Sequence, residues 1–163
     1  MCDDDIPWAD PRIQSDYEAA LGRFLVQFNR LENLIGDLLS RSLSKLGRNH
    51  LYKATDRLES KISLLEVSLL AISGIHCPNF KAVRDLTGER NTLAHGNFDQ
   101  NPFDGRYNIV TSRGKSVEFP VDKVNSFTTQ CEAVIDDFRY CLAFFHFDGI
   151  DKDKPASLNA DNT

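Results

Sequence analysis

An all-α fold, a bundle of four main helices with a small β-hairpin inserted before the last, is what this sequence predicts. Three observations predict it. Four segments repeat apolar residues three and four positions apart, the period of one helix face. A turn-rich stretch with two β-like runs separates the third segment from the fourth. The chain has 163 residues, 41% hydrophobic and 26% charged, which suits one globular domain with a real core rather than two.

The first helix is expected over about residues 16 to 46. Leu21, Phe24, Leu25, Phe28, Leu31, Ile35, Leu38, Leu39 and Leu43 share one face there, and Gly47 follows as a stop. A second helix is expected over about 51 to 73, where Leu58, Ile62, Leu65, Leu69 and Ile72 alternate four and three apart like a bundle seam; Gly74 and Pro78 close it. Asn79 is suited to cap a third helix with Phe80, Val83, Leu86 and Leu93 on its inner face. Gly88 weakens that helix locally and Gly96 stops it. Residues 97 to 105 have loop chemistry, and the runs 106–111 and 116–119 read as a hairpin around Ser112-Arg113-Gly114-Lys115. After Pro120, Val124, Phe127, Cys131, Val134, Phe138, Cys141 and Phe145 keep a strict three-four alternation through a fourth helix. The helical domain then spans 16–148, between a flexible acidic segment at 1–15 and a disordered polar tail at 149–163.

No apolar run approaches the roughly 18 residues a membrane helix needs, and the start, MCDDDIPWAD, is acidic where a secretory signal is basic and then apolar. A cytoplasmic protein is expected. Cys2, Cys77, Cys131 and Cys141 show neither CxxC pairing nor the density of a disulfide scaffold, so they read as free thiols, the last two in the core. His76 adjoins Cys77, but no second nearby pair completes a ligand set; no metal and no cofactor is expected. The net charge is −5, yet Asp3, Asp4, Asp5, Asp10, Asp151, Asp153 and Asp161 lie in the terminal segments, and residues 13–148 carry 16 basic against 17 acidic side chains. That near-neutral balance neither supports nor excludes RNA, because a local patch decides binding.

Two charges stand in apolar stripes. Arg90 lies seven residues after Val83 on the inner stripe of the third helix, and Glu32 falls in the series Leu25, Phe28, Glu32, Ile35, Leu39 of the first. A guanidinium withdrawn from water costs several kcal/mol unless it is paired and hydrogen-bonded, so it needs a partner or a ligand. Glu32 is the internal candidate, and a purely structural Glu32–Arg90 pair fixing helix register is the plainest explanation.

Arg90 belongs to the segment ERNTLAHG. Asn91 and His95 are four residues apart and share a helix face, while Arg90 and His95 differ by roughly 140° and ~7.5 Å along the axis, a gap an arginine side chain can bridge. Together they offer one ligand a cation, an amide and an imidazole. A guanidinium grips phosphoryl oxygens as a fork, and an imidazole, titrating at roughly 6.5 in water, moves protons at neutral pH. RNA carries its own nucleophile, the 2′-hydroxyl, so its cleavage asks only for proton transfer and charge stabilisation. A histidine beside a helix C-terminus is also favoured by the helix dipole alone, and an RxxxxH spacing is by itself a weak signal.

Arg90-Asn91 followed by Leu93-Ala94-His95-Gly96 closely resembles the R-N-x-x-A-H-G form of the HEPN motif, and it sits on the third of four expected helices. The resemblance is specific over about residues 88–98 and looser over the helical pattern 17–147. It implies a helical bundle that forms a homodimer, with two RxxxxH motifs facing one another across a shared cleft, often as a metal-independent endoribonuclease leaving a 2′,3′-cyclic phosphate. Many relatives act in toxin–antitoxin, phage-defence or RNA-processing systems, so an antitoxin or other protein partner is implied as well. By position, Arg90 and His95 match the catalytic pair, Asn91 the polar residue that commonly follows the arginine, and Glu32 the acidic first-helix residue of several families. The HxY tyrosine of some HEPN toxins is absent, since Gly96, Asn97 and Phe98 follow His95.

The alternative is a non-catalytic HEPN module that binds RNA, a nucleotide or a protein partner with the same cleft. The hairpin serves as a connector, or brings Arg106, Arg113 and Lys115 to RNA phosphates beside the cleft. The aromatic stretch 142–147 belongs to the core, or to a dimer interface.

Overall fold

Asp10 opens the first helix. Its carboxylate accepts the N–H of Arg12 at 2.9 Å and Pro11 follows it, a residue pre-shaped for a first turn. In the computed structural model, which describes residues 9–110 and 114–147, helix α1 therefore spans Pro11–Lys45. The cap starts it upstream of the apolar period, so the last residues of the expected flexible segment 1–15 are helical. Cys2, the acidic run 3–5, Thr111, Ser112, Arg113 and the tail 149–163 lie outside the described residues.

At about 50 Å, α1 is the axis of the fold. Phe24, Phe28, Leu31, Ile35, Leu38 and Leu39 are at most 1% exposed and pack against the other three α-helices. The expected second helix is divided. A 3-10 turn covers Asn49–Ala54, and α2 is Leu58–Leu70. Thr55 makes the break, because its hydroxyl donates to the carbonyl of Leu51 at 3.0 Å and its N–H to that of Tyr52 at 3.2 Å, while Arg57 is extended. A threonine side chain that bonds its own backbone competes with helix propagation, and the helix restarts where the apolar period begins.

Helix α3 spans Phe80–His95 as expected, with the Asn79 side chain accepting from the N–H of Ala82 at 3.0 Å. Arg84 ties it to α2 by bonds to Glu59 at 3.0 Å and Glu66 at 2.7 Å, which hold its guanidinium charge still more firmly than usual. Helix α4, Val121–Phe147, buries Val124, Phe127, Cys131, Val134, Phe138 and Cys141. Leu142 and Phe145 pack against the core, while Phe147 is exposed. Cys77, Cys131 and Cys141 are free thiols; burial pushes Cys131 up to about 11 and Cys141 up to about 12.

Between α3 and α4 the chain forms three antiparallel strands, where the sequence suggests only a hairpin. They are β1 (Asn97–Gln100), β2 (Tyr107–Val110) and β3 (Ser116–Glu118), in that order. Phe98 pairs with Ile109 and Ile109 with Val117. The expected loop is confined to 101–106, where Asn101 and Asp104 accept backbone N–H groups and Gly105 turns at φ +70°. Residues 97–100 are therefore strand rather than loop. Among the described residues no helix is long and apolar enough to cross a membrane.

Candidate functional site

Arg90 and Glu32 face each other between α3 and α1. The Arg90 Nη2 to Glu32 Oε2 distance is 3.6 Å, and the side chains are 30% and 31% exposed. The two stripe charges therefore form the pair that their registers suggest. At that separation it is an ion pair without a hydrogen bond. Arg90 Nη1 donates to Asn91 Oδ1 at 3.0 Å, and Cζ lies 5.4 Å from the centroid of the buried Phe28 ring. Carboxylate, amide and ring hold the guanidinium in place, but one hydrogen bond uses little of a group with five donors. It remains equipped to bind an anion.

Asn91 and His95 are exposed on the same helix. His95 is the last residue of α3, and its ring has no hydrogen-bond or ion-pair partner among the described residues. Its position is fixed from behind. The N–H of Gly96 bonds to Thr92 O at 2.9 Å, and a Cβ at Gly96 would fall 2.1 Å from Ile109 Cγ2, so α3 ends hard against β2. Gly96 thus ends the helix in an extended conformation (φ −75°, ψ 147°), required by close approach rather than by a left-handed turn.

Glu32 also lines a shallow polar cleft of about 380 Å³ between α1 and α2, completed by Asn29, Asn33, Leu58 and Lys61. None of these four stands out in the sequence, since each is ordinary in its own register. Only the spacing of Asn29 and Asn33, four apart beside Glu32, hints at a shared polar face.

The hairpin cations are placed differently. Arg106 is exposed, pairs with Asp104 at 3.4 Å and lines a separate apolar depression with Ile13, Tyr17, Tyr107 and Phe119. Lys115 is exposed before β3, and Arg113 lies outside the described residues. Glu32, Arg90 and Asn91 come together, with His95 at the end of the same helix; the depression lined by Arg106 shares no residue with the polar cleft.

The arrangement can bind an anion at Arg90 and exchange protons at an accessible imidazole. In comparisons with family models, with curated proteins and with solved structures, none matches this chain. The HEPN resemblance is therefore one of sequence, carried by residues 88–98.

Proposed function

We propose that this protein is a metal-independent endoribonuclease of the HEPN type, working as a homodimer. The observation that carries the reading is Arg90: a guanidinium set in an apolar stripe, oriented by Glu32, Asn91 and Phe28, with most of its donors uncommitted. In this reading the 2′-oxygen of RNA attacks the adjacent phosphorus and the bond from phosphorus to the 5′-oxygen breaks. Arg90 neutralises the charge that builds on the equatorial oxygens. His95 takes the proton of the 2′-hydroxyl, and the histidine of the second copy of the motif, across the dimer cleft, delivers one to the departing 5′-oxygen. The products are a 2′,3′-cyclic phosphate and a free 5′-hydroxyl, and no step calls for a metal. A role as a toxin or phage-defence effector, held in check by an antitoxin in the cytoplasm, extends the same resemblance.

A binding-only module uses the same residues. One observation favours it: no group among the described residues orients the His95 ring. Incubating a mixed RNA pool in EDTA with wild type and His95→Ala separates the readings. Cutting that leaves cyclic phosphate ends and vanishes in the variant supports the nuclease. No cutting by a folded dimer supports the module, and a monomer at micromolar concentration in light scattering removes the shared cleft.

A further inference from the structure

The polar cleft between α1 and α2 is contiguous with Arg90, because Glu32 belongs to both. Lys61 is half-buried in its wall, and its ammonium has no ion-pair or hydrogen-bond partner among the described residues. The same holds for the amides of Asn29 and Asn33, which stand one helical turn apart on α1. Arg90 takes up the Glu32 carboxylate, so the Lys61 ammonium is left as an unneutralised positive charge in the cleft wall beside two uncommitted amides. That chemistry suits one anionic group attached to a neutral, hydrogen-bonding body. It does not suit an acidic peptide, which needs several cations, or a divalent ion, which needs more than one carboxylate. At about 380 Å³ the cleft is of the size that holds one nucleotide-like unit.

We infer that this cleft is an RNA subsite for the nucleotide next to the phosphate held by Arg90. Lys61 contacts its phosphate, and Asn29 and Asn33 bond its 2′-hydroxyl and base edge. The inference rests on Arg90 being a phosphate ligand, the reading proposed above. It extends the site from one phosphodiester to two and gives the enzyme a means to tell RNA from DNA away from the scissile bond.

The test uses His95→Ala protein, so that bound RNA persists, and a fluorescent mixed-sequence RNA of about twelve nucleotides, a length within the range one module covers. Adding Lys61→Ala is expected to weaken binding about five- to tenfold and to flatten the salt dependence by about 0.7 in log–log slope, the signature of one lost contact to single-stranded phosphate. Lys61→Arg is expected to restore most of the affinity. Asn29→Ala with Asn33→Ala is expected to weaken RNA several-fold while leaving a DNA strand of the same sequence nearly unaffected. If Arg90→Ala weakens binding but Lys61→Ala changes neither affinity nor slope, the subsite is wrong and the Arg90 reading survives. If Lys61→Ala weakens binding and Arg90→Ala does not, the cleft binds RNA but not beside a phosphate held by Arg90, which overturns both the subsite as stated and the Arg90 reading. Indifference to both overturns both. Inorganic phosphate that displaces RNA as well as a mononucleotide does would also overturn it, showing a phosphate pocket without a nucleoside site.

Discussion

The Glu32 carboxylate stands 3.6 Å from the Arg90 guanidinium, just beyond hydrogen-bonding reach, while the Phe28 ring lies 5.4 Å from the same cation. A carboxylate that neutralises an arginine without occupying its donors leaves the fork available. A purely structural bridge would be expected to close to a bidentate contact, the geometry that gives such pairs their strength.

Arg90→Lys keeps the charge but loses the planar fork. Stability should change by less than about 1 kcal/mol in urea unfolding, because the pair is about a third exposed and such pairs contribute little. Single-turnover RNA cleavage should fall at least ~100-fold, the usual effect of removing a donor aimed at developing charge. Full cleavage by the lysine variant would reduce Arg90 to a point charge.

Glu32→Gln preserves shape and removes the negative charge beside the phosphate site. RNA affinity, read by fluorescence anisotropy at moderate salt, should rise about two- to fivefold, equivalent to roughly 0.5–1 kcal/mol. Unchanged affinity together with a stability loss well above 1 kcal/mol would mark the pair as a register device only.

Gly96 is held by crowding. A Cβ there would lie 2.1 Å from Ile109 Cγ2 and 2.6 Å from the backbone carbonyl of Thr92, and Ile109 is fully buried. Gly96→Ala should cost about 1–3 kcal/mol, as overpacking does, and should shift the end of α3 that carries His95. Reduced cleavage with unchanged RNA affinity, alongside a lower unfolding midpoint, is the expected combination. Gly88→Ala is the control, since a Cβ there meets nothing within 4 Å. It should stabilise α3 by up to about 1 kcal/mol.

Helix α3 and its charged pair are legible in the sequence because each signal is local. Asn79 caps, Phe80, Val83, Leu86 and Leu93 set the buried face, and Glu32 and Arg90 betray themselves as charges in apolar series. Strand β1 is not legible. Its Asn-Phe-Asp-Gln has no alternation, and it becomes a strand only because Gly96 brings it onto β2. The break at Thr55 depends on one hydroxyl choosing a backbone carbonyl, which the apolar spacing around it does not encode. Lys61 and Asn29 escape notice for a third reason: a lysine or asparagine on a polar face is unremarkable until a second helix places it in a cleft.

Asp137 of α4 anchors the start of α3. One carboxylate oxygen accepts the N–H of Asn79 at 2.8 Å and the other meets His76 Nε2 at 2.5 Å, with the His76 ring edge-on to Tyr140. Asp137→Ala should cost about 1.5–2 kcal/mol, the lower part of the range for hydrogen bonds to charged groups, because the carboxylate is 31% exposed. Amide exchange should quicken at the start of α3. Arg139→Ala, which removes only the exposed pair with Asp136, should leave both measurements unchanged.

The buried thiols and Tyr17 set the alkaline limit of the fold. Burial pushes Cys131 up to about 11, Cys141 up to about 12 and Tyr17, stacked on Tyr107, up to about 12. In the unfolded chain these protons leave at about 8.5 for cysteine and about 10 for tyrosine. Between those values and the folded ones the native state holds more protons than the unfolded state, so raising the pH favours unfolding. Stability should be level up to about pH 8 and fall from about pH 9 toward 12, each group adding at most ~1.4 kcal/mol per pH unit while it titrates only in the unfolded chain. Urea midpoints measured across that range test this, and Cys141→Ala should flatten the decline even though its cavity lowers stability throughout. In a Cys2→Ser background at pH 8, a thiol reagent should modify exposed Cys77 and spare Cys131 and Cys141 until urea is added. Rapid labelling of the two buried thiols in native protein would mean that α4 opens readily, and the thiols' share of the alkaline decline would then be lost, leaving that of Tyr17.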